Sequence, residues 1–135
     1  LLRQRSRPYL FSNSIPPSVA SASIEAFKIV KEDNRLKNNL EKNTLYFREK
    51  MSSNGFDILE GIHPIVPIML YDAKKAKIMS SKLLEEGIYV IGFYYPVVPK
   101  NKARIRVQIS SAMKKQHLDK AISAFKKVGE EMGII

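Results

Sequence analysis

Cysteine is missing altogether and histidine occurs only twice, at His63 and His117. The first absence excludes disulfide staples and thiolate metal sites. The second leaves little material for a histidine metal cluster or a Ser-His-Asp triad, and each histidine reads as a surface or turn residue. Glycine is also sparse: six residues, all single, so no phosphate-cradling P-loop and no GxGxxG dinucleotide turn can be built. Apolar runs stay far below the roughly 20 residues of a membrane span. Acidic residues are few, 13 against 23 basic, and they fall on helix surfaces rather than in pairs suited to general acid–base work. No internal repeat and no low-complexity tract is present.

What is present is enough for one core. A chain of 135 residues with 44% apolar and 27% charged content has the composition of an ordinary globular protein. The net charge of +10 raises affinity for any polyanion, so a basic nucleic-acid-binding module is one functional reading. Against it, the lysines (Lys28, Lys31, Lys37, Lys42, Lys74, Lys75, Lys77, Lys126, Lys127) are spread over helix faces, and no RNA-recognition, helix-turn-helix or zinc-finger pattern accompanies them. The first residue is Leu rather than Met and no secretory pattern precedes the fold, which suggests a piece of something longer.

Local patterns predict the elements. Pro8 biases Arg7 toward extended backbone, and Tyr9-Leu10-Phe11 forms a short apolar segment. Ser14 is the expected N-cap of a helix with Pro16 and Pro17 in its first turn, carrying Val19, Ala22, Ala26, Ile29 and Val30 at helical spacing. After a break at Glu32-Asp33-Asn34, a second helix presents Leu36, Leu40, Phe47 and Met51 and stops at Gly55. Ile65–Tyr71 is a strand that, because Pro67 cannot donate to a ladder, lies at an edge or begins after the proline. Asp72 caps a helix with Ala76, Met79, Leu83 and Leu84 inward, closed by Gly87. Tyr89–Tyr94 is the next strand and Pro96–Pro99 a stiff loop. Ala103–Ile109 is a third strand, and a last helix uses Leu118, Ile122, Phe125, Val128 and Met132. The expected fold class is α+β, with a small, mostly antiparallel sheet covered on one side.

Three places can bind something. Along Lys102–Ser110 the chain alternates: Arg104, Arg106 and Gln108 share one strand face, while Ile105, Val107 and Ile109 share the other. Two adjacent guanidiniums repel each other, so that face suits an anion, and a planar fork grips a carboxylate through two parallel hydrogen bonds. The alternatives are solvation, or pairing with surface acids such as Glu85 or Asp119. Ser12-Asn13-Ser14, placed before a helix, offers hydroxyl, amide and backbone N–H groups to a phosphate or carboxylate, or simply caps the helix. The loop from Gly92 to Pro99 lines a pocket or packs as a turn.

Two blocks carry a resemblance. Arg7-Pro8-Tyr9-Leu10-Phe11-Ser12-Asn13-Ser14 with Pro17 is similar to the segment after the cofactor lysine in the α-oxoamine synthases, which are pyridoxal-phosphate (PLP) enzymes of fold type I. Glu86–Lys100 followed by Ala103-Arg104-Ile105-Arg106-Val107-Gln108 resembles the branch that interconverts glycine plus acetyl-CoA and 2-amino-3-oxobutanoate plus CoA, a step of threonine breakdown. Together they span essentially the whole chain. The resemblance implies a small C-terminal domain (55–135), interdomain helices (15–54), and a tail of the larger PLP domain with the phosphate-contact segment (1–14). It gives Arg106, four residues before Ser110, the substrate carboxylate, with Arg104 a weaker candidate. Ser12 and Asn13 receive the cofactor phosphate of the neighbouring subunit in a homodimer with shared active sites. It implies no nucleic-acid or membrane partner, and a cytoplasmic location in a bacterium or a mitochondrial one in a eukaryote. The Schiff-base lysine belongs upstream, so no catalytic residue is expected within 1–135 and these residues alone are expected to be inactive. Met113 stands where relatives usually place a histidine.

Overall fold

The computed structural model describes residues 1–12 and 14–135, and the side chains of all of these except 2, 3, 9 and 10. It divides into two units, Leu1–Asn34 and Arg35–Ile135.

The first unit contains α1 (Leu2–Arg5), α2 (Arg7–Phe11) and α3 (Pro17–Glu32). Arg7 is helical, contrary to the extended geometry expected before a proline. Ser6 takes the extended break instead, and the turn closes through Ser12 N–H donating to Pro8 O. The Arg7 guanidinium lies over the Phe11 ring one turn on, 5.9 Å from its centroid. Ser14 does not cap α3; Pro16 occupies the N-cap position, with φ −55° and ψ 139° and no side-chain cap. The reason is steric. A proline pushes the preceding residue out of the helical region, so Pro16, which precedes Pro17, stays extended and the helix begins at Pro17. No α3 residue is buried.

The second unit runs α4 (Arg35–Ser53), β1 (Ile65–Tyr71), α5 (Ala73–Glu85), β2 (Ile91–Phe93), β3 (Ala103–Gln108) and α6 (Lys115–Glu131). Its sheet is wholly antiparallel in the order β1-β3-β2, so the arginine strand is central. Pro67 sits on an edge strand, as its missing N–H demands, and its carbonyl accepts from Leu59 N–H on the outer side. β2 is shorter than the Tyr89–Tyr94 expected. Asp72 caps α5 by accepting from Lys75 N–H at 2.8 Å, and Gly87, at φ +76°, turns the chain out of the helix. Leu84 is 58% exposed rather than inward, because Ala76, Met79 and Leu83 already define the buried stripe and Leu84 lies a further 100° round.

One sheet face is covered by helices. Val66, Ile68, Leu70, Ile105 and Val107 pack with Phe47 and Met51 of α4, Met79 and Leu83 of α5, and Leu118, Phe125 and Val128 of α6. The α4 stripe reaches this core only from Leu40 onward; Leu36 is exposed. Phe125 stands edge-on to both Phe47 and Phe56. α5 lies close against the sheet at Gly92, where a Cβ would lie 2.9 Å from Ala76 O.

Candidate functional site

β3 carries its residues as the alternation requires. Ile105 and Val107 are buried, Arg106 and Gln108 are exposed and Arg104 is half-buried. The register places Arg106 between Pro67 of β1 and Ile91 of β2, and Arg104 between Met69 and Phe93. The face without helices is therefore an apolar strip crossed by two guanidiniums.

The two arginines are held differently. Arg104 Nε donates to Lys102 O at 3.0 Å, tethering that side chain back along its own strand. Arg106 reaches diagonally onto the ring of Phe93, its guanidinium carbon 4.0 Å from the ring centroid. Neither Glu85 nor Asp119 pairs with them: Asp119 accepts from the Tyr46 hydroxyl, and its charge raises the Tyr46 pKa through that bond. Among the described residues no carboxylate lies within ion-pair distance of either arginine. Arg106 thus presents unpaired donors beside one stacked face.

The other expected places are distributed as follows. Ser12 ends α2 rather than beginning α3; its N–H is engaged by Pro8 O, which leaves an exposed hydroxyl as its contribution. Asn13 lies outside the described residues. The proline loop does line a cavity, of about 220 Å³, where Tyr94, Tyr95, Pro99 and Lys100 face Tyr71 and Asp72. A second cavity, of about 300 Å³, is lined by Tyr89, Arg106, Gln108, Met113 and His117, among others. Met113 is half-buried against the core, and Asn43 Nδ2 donates to its carbonyl. Both histidines are exposed and serve turns, His63 Nδ1 accepting from Ile65 N–H and His117 Nδ1 from Lys114 N–H. No cluster of three or more metal-ligating side chains occurs among the described residues, and no helix is long and apolar enough to cross a membrane.

Two features escaped the sequence. Arg48, on the inner face of α4, is only 8% exposed and gives its guanidinium to the carbonyls of Leu59, His63 and Ile65 at 2.7, 2.9 and 3.2 Å. Burial lowers its pKa. The only available signal was an arginine beside Phe47 and Met51. Phe93 beneath Arg106 was equally hidden, since it depends on β2–β3 register.

A small antiparallel sheet, helices on one face and an unpaired strand arginine on the other describe a known kind of protein part. The chain belongs to the class I and II aminotransferase family, whose model matches residues 1–125. Within that family it is 47% identical to the 2-amino-3-ketobutyrate coenzyme A ligase of Escherichia coli K12 over 134 residues, 99% of this chain and 34% of that protein. The human mitochondrial protein of the same name is 47% identical over 135 residues, 100% of this chain and 32% of that one. An 8-amino-7-oxononanoate synthase of Petrotoga mobilis is also 47% identical, over 134 residues, 99% of this chain. A serine palmitoyltransferase of S. paucimobilis, solved with PLP and myriocin bound, superposes with a TM-score of 0.90 at 26% identity, covering 99% of this chain and 34% of that one. The fold is that of part of a fold-type-I PLP enzyme. The chain spans about a third of the length of the curated relatives it matches.

Proposed function

We propose that the chain is the C-terminal part of a PLP-dependent glycine C-acetyltransferase, which interconverts 2-amino-3-oxobutanoate plus CoA and glycine plus acetyl-CoA. The observation that carries this is Arg106: an exposed guanidinium without an ionic partner among the described residues, stacked on a ring and flanked by Pro67 and Ile91. Its in-plane N–H groups bind the substrate carboxylate in bidentate fashion and set the orientation of the α-carbon. Arg104, tethered to Lys102 O, adds positive potential beside it.

The donors present fit the cofactor's phosphate. The Ser12 hydroxyl is exposed and its backbone N–H is already satisfied, so it is the hydroxyl that meets a phosphate oxygen, with Asn13 as the neighbouring contact by family resemblance. When bound, PLP supplies the electron sink for negative charge developing at the amino-acid α-carbon. Its lysine is contributed from outside residues 1–135. In this reading residues 1–14 carry the phosphate contacts, 15–54 link the domains and 55–135 close over the substrate. The enzyme is a homodimer whose active sites take Ser12 and Asn13 from the neighbouring subunit, with no nucleic-acid or membrane partner. It resides in the cytoplasm of a bacterium or the mitochondrion of a eukaryote, a reading supported by relatives from a bacterium and by a human relative named as mitochondrial.

The test is steady-state kinetics of the full-length enzyme with glycine and acetyl-CoA. Arg106→Ala is expected to raise the KM for glycine at least about 30-fold, the lower end of the cost of breaking a charged hydrogen-bonded pair; Arg104→Ala is expected to do much less. An unchanged glycine KM in Arg106→Ala would remove the clamp. The equal identity to an 8-amino-7-oxononanoate synthase supports a second reading, another α-oxoamine synthase. A preference for a longer acyl-CoA over acetyl-CoA would favour it. A steep salt dependence of DNA binding would instead favour a polyanion-binding module.

A further inference from the structure

Arg106 raises a question of its own. A long side chain on an open strand face, next to a second cation, has no electrostatic reason to adopt one conformation before its ligand arrives. Holding it costs side-chain entropy that weakens binding. The observed contact supplies the missing restraint. Phe93 lies two residues along β2 from Ile91, the register partner of Arg106, so its ring meets the guanidinium on the diagonal. At 4.0 Å the guanidinium carbon lies over the ring, close enough for the contact to restrain the side chain. The β2 backbone cannot readily recede, because Gly92 is pressed against Ala76 O of α5. From this geometry we infer that Phe93 is a positioning residue, which pre-organises Arg106 for the amino-acid carboxylate by cation–π stacking and so sets affinity for the amino-acid substrate. The inference rests on the clamp reading of Arg106 given above.

The role predicts a specific kinetic split. Phe93→Leu keeps apolar bulk but removes the π face. It is expected to raise the KM for glycine about three- to tenfold, the range of a partly desolvated cation–π contact, with kcat and the KM for acetyl-CoA near their original values. Phe93→Tyr retains the ring and is expected to restore the glycine KM. Phe93→Met, a flexible apolar residue, is the second variant should Phe93→Leu fold poorly, and is expected to behave as Phe93→Leu does. These measurements use the full-length dimer beside Arg106→Ala. A glycine KM raised by Arg106→Ala but untouched by Phe93→Leu or Phe93→Met overturns the positioning role alone. Failure of Arg106→Ala to raise it overturns the clamp beneath it. A parallel loss in kcat and in both KM values for Phe93→Leu, not rescued by Phe93→Tyr, would assign Phe93 to packing and also overturn the inference.

Discussion

Replacing Arg48 by Met should be among the most destabilising single changes on the surface of α4 that faces the core. Three backbone carbonyls, of Leu59, His63 and Ile65, converge on its guanidinium and so fix the chain that leads from α4 into β1. Three charge-assisted bonds at roughly 1.5 kcal/mol each amount to about 4–5 kcal/mol. Set against that is the release of a cation from a site only 8% exposed, with a buried Nε that has no partner. That release returns about 1–2 kcal/mol. The expected net loss is about 3 kcal/mol, equivalent to a fall in Tm of more than about 10 °C for a unit of this size. Urea denaturation of the 135-residue chain, followed by circular dichroism at neutral pH, measures it directly. A midpoint lowered by about 1–2 M without a change in slope is the expected outcome. Arg48→Lys should fall between the two, since a single ammonium cannot span three carbonyls. If the Arg48→Met midpoint matches that of the unaltered chain, the desolvation cost equals the whole gain and Arg48 does not pin the segment before β1.

Two further outcomes are expected. Gly92→Ala would place a Cβ 2.9 Å from Ala76 O, backbone rather than a flexible side-chain end, so β2 must move away from α5. Thermal denaturation should show a loss of roughly 1–3 kcal/mol, and an unchanged Tm would mean that the two elements yield freely. The α5–α6 ion pair Lys82–Glu131, at 2.8 Å, gives a pH dependence of known sign. The hydrogen bond from Lys82 holds the Glu131 carboxyl below its ordinary 4.5, so its contribution is present above that pH and is lost as pH falls through the lower folded value. The same bond raises Lys82 above 10.5, so that contribution is present below 10.5 and is lost as pH rises through the higher folded value. Lys82→Met should flatten both limbs of a midpoint-versus-pH curve, and limbs of unchanged steepness would show the pair to be energetically silent.

The elements were legible where one local rule governed them. The period of two along Ala103–Gln108 identified the buried face of β3, and an aspartate before a helical stripe identified the α5 cap. Pro67 pointed to an edge strand or to a strand beginning after it, and the first alternative holds, for a reason that involves no other part of the chain. The entry to α3 was misjudged because two local rules compete there, serine capping against proline sterics, and the steric rule acts nearer the first turn. Moving that helix start to Pro17 also changes the meaning of Ser12. It is not a residue at a positive helix end but the last link of a short preceding turn, whose backbone donor is spent and whose hydroxyl is not.

The site itself divides along the same line. Alternation within one strand fixes which way Arg106 points, and that was readable. What lies against it depends on which residue of a three-residue strand stands opposite, a quantity set by the approach of α5 at Gly92 and by the closing turn at Gly87. A shift of β2 by one residue would turn Phe93 to the helix-covered face and put Gly92 or Tyr94 in its place. The arginine is thus specified by its own strand, while its restraint is specified by the packing of a helix on the opposite side of the sheet. Under the proposed clamp reading, substitutions in that helix-facing layer are expected to raise the glycine KM of the full-length enzyme through Phe93 without touching Arg106, and an unchanged KM would break that link.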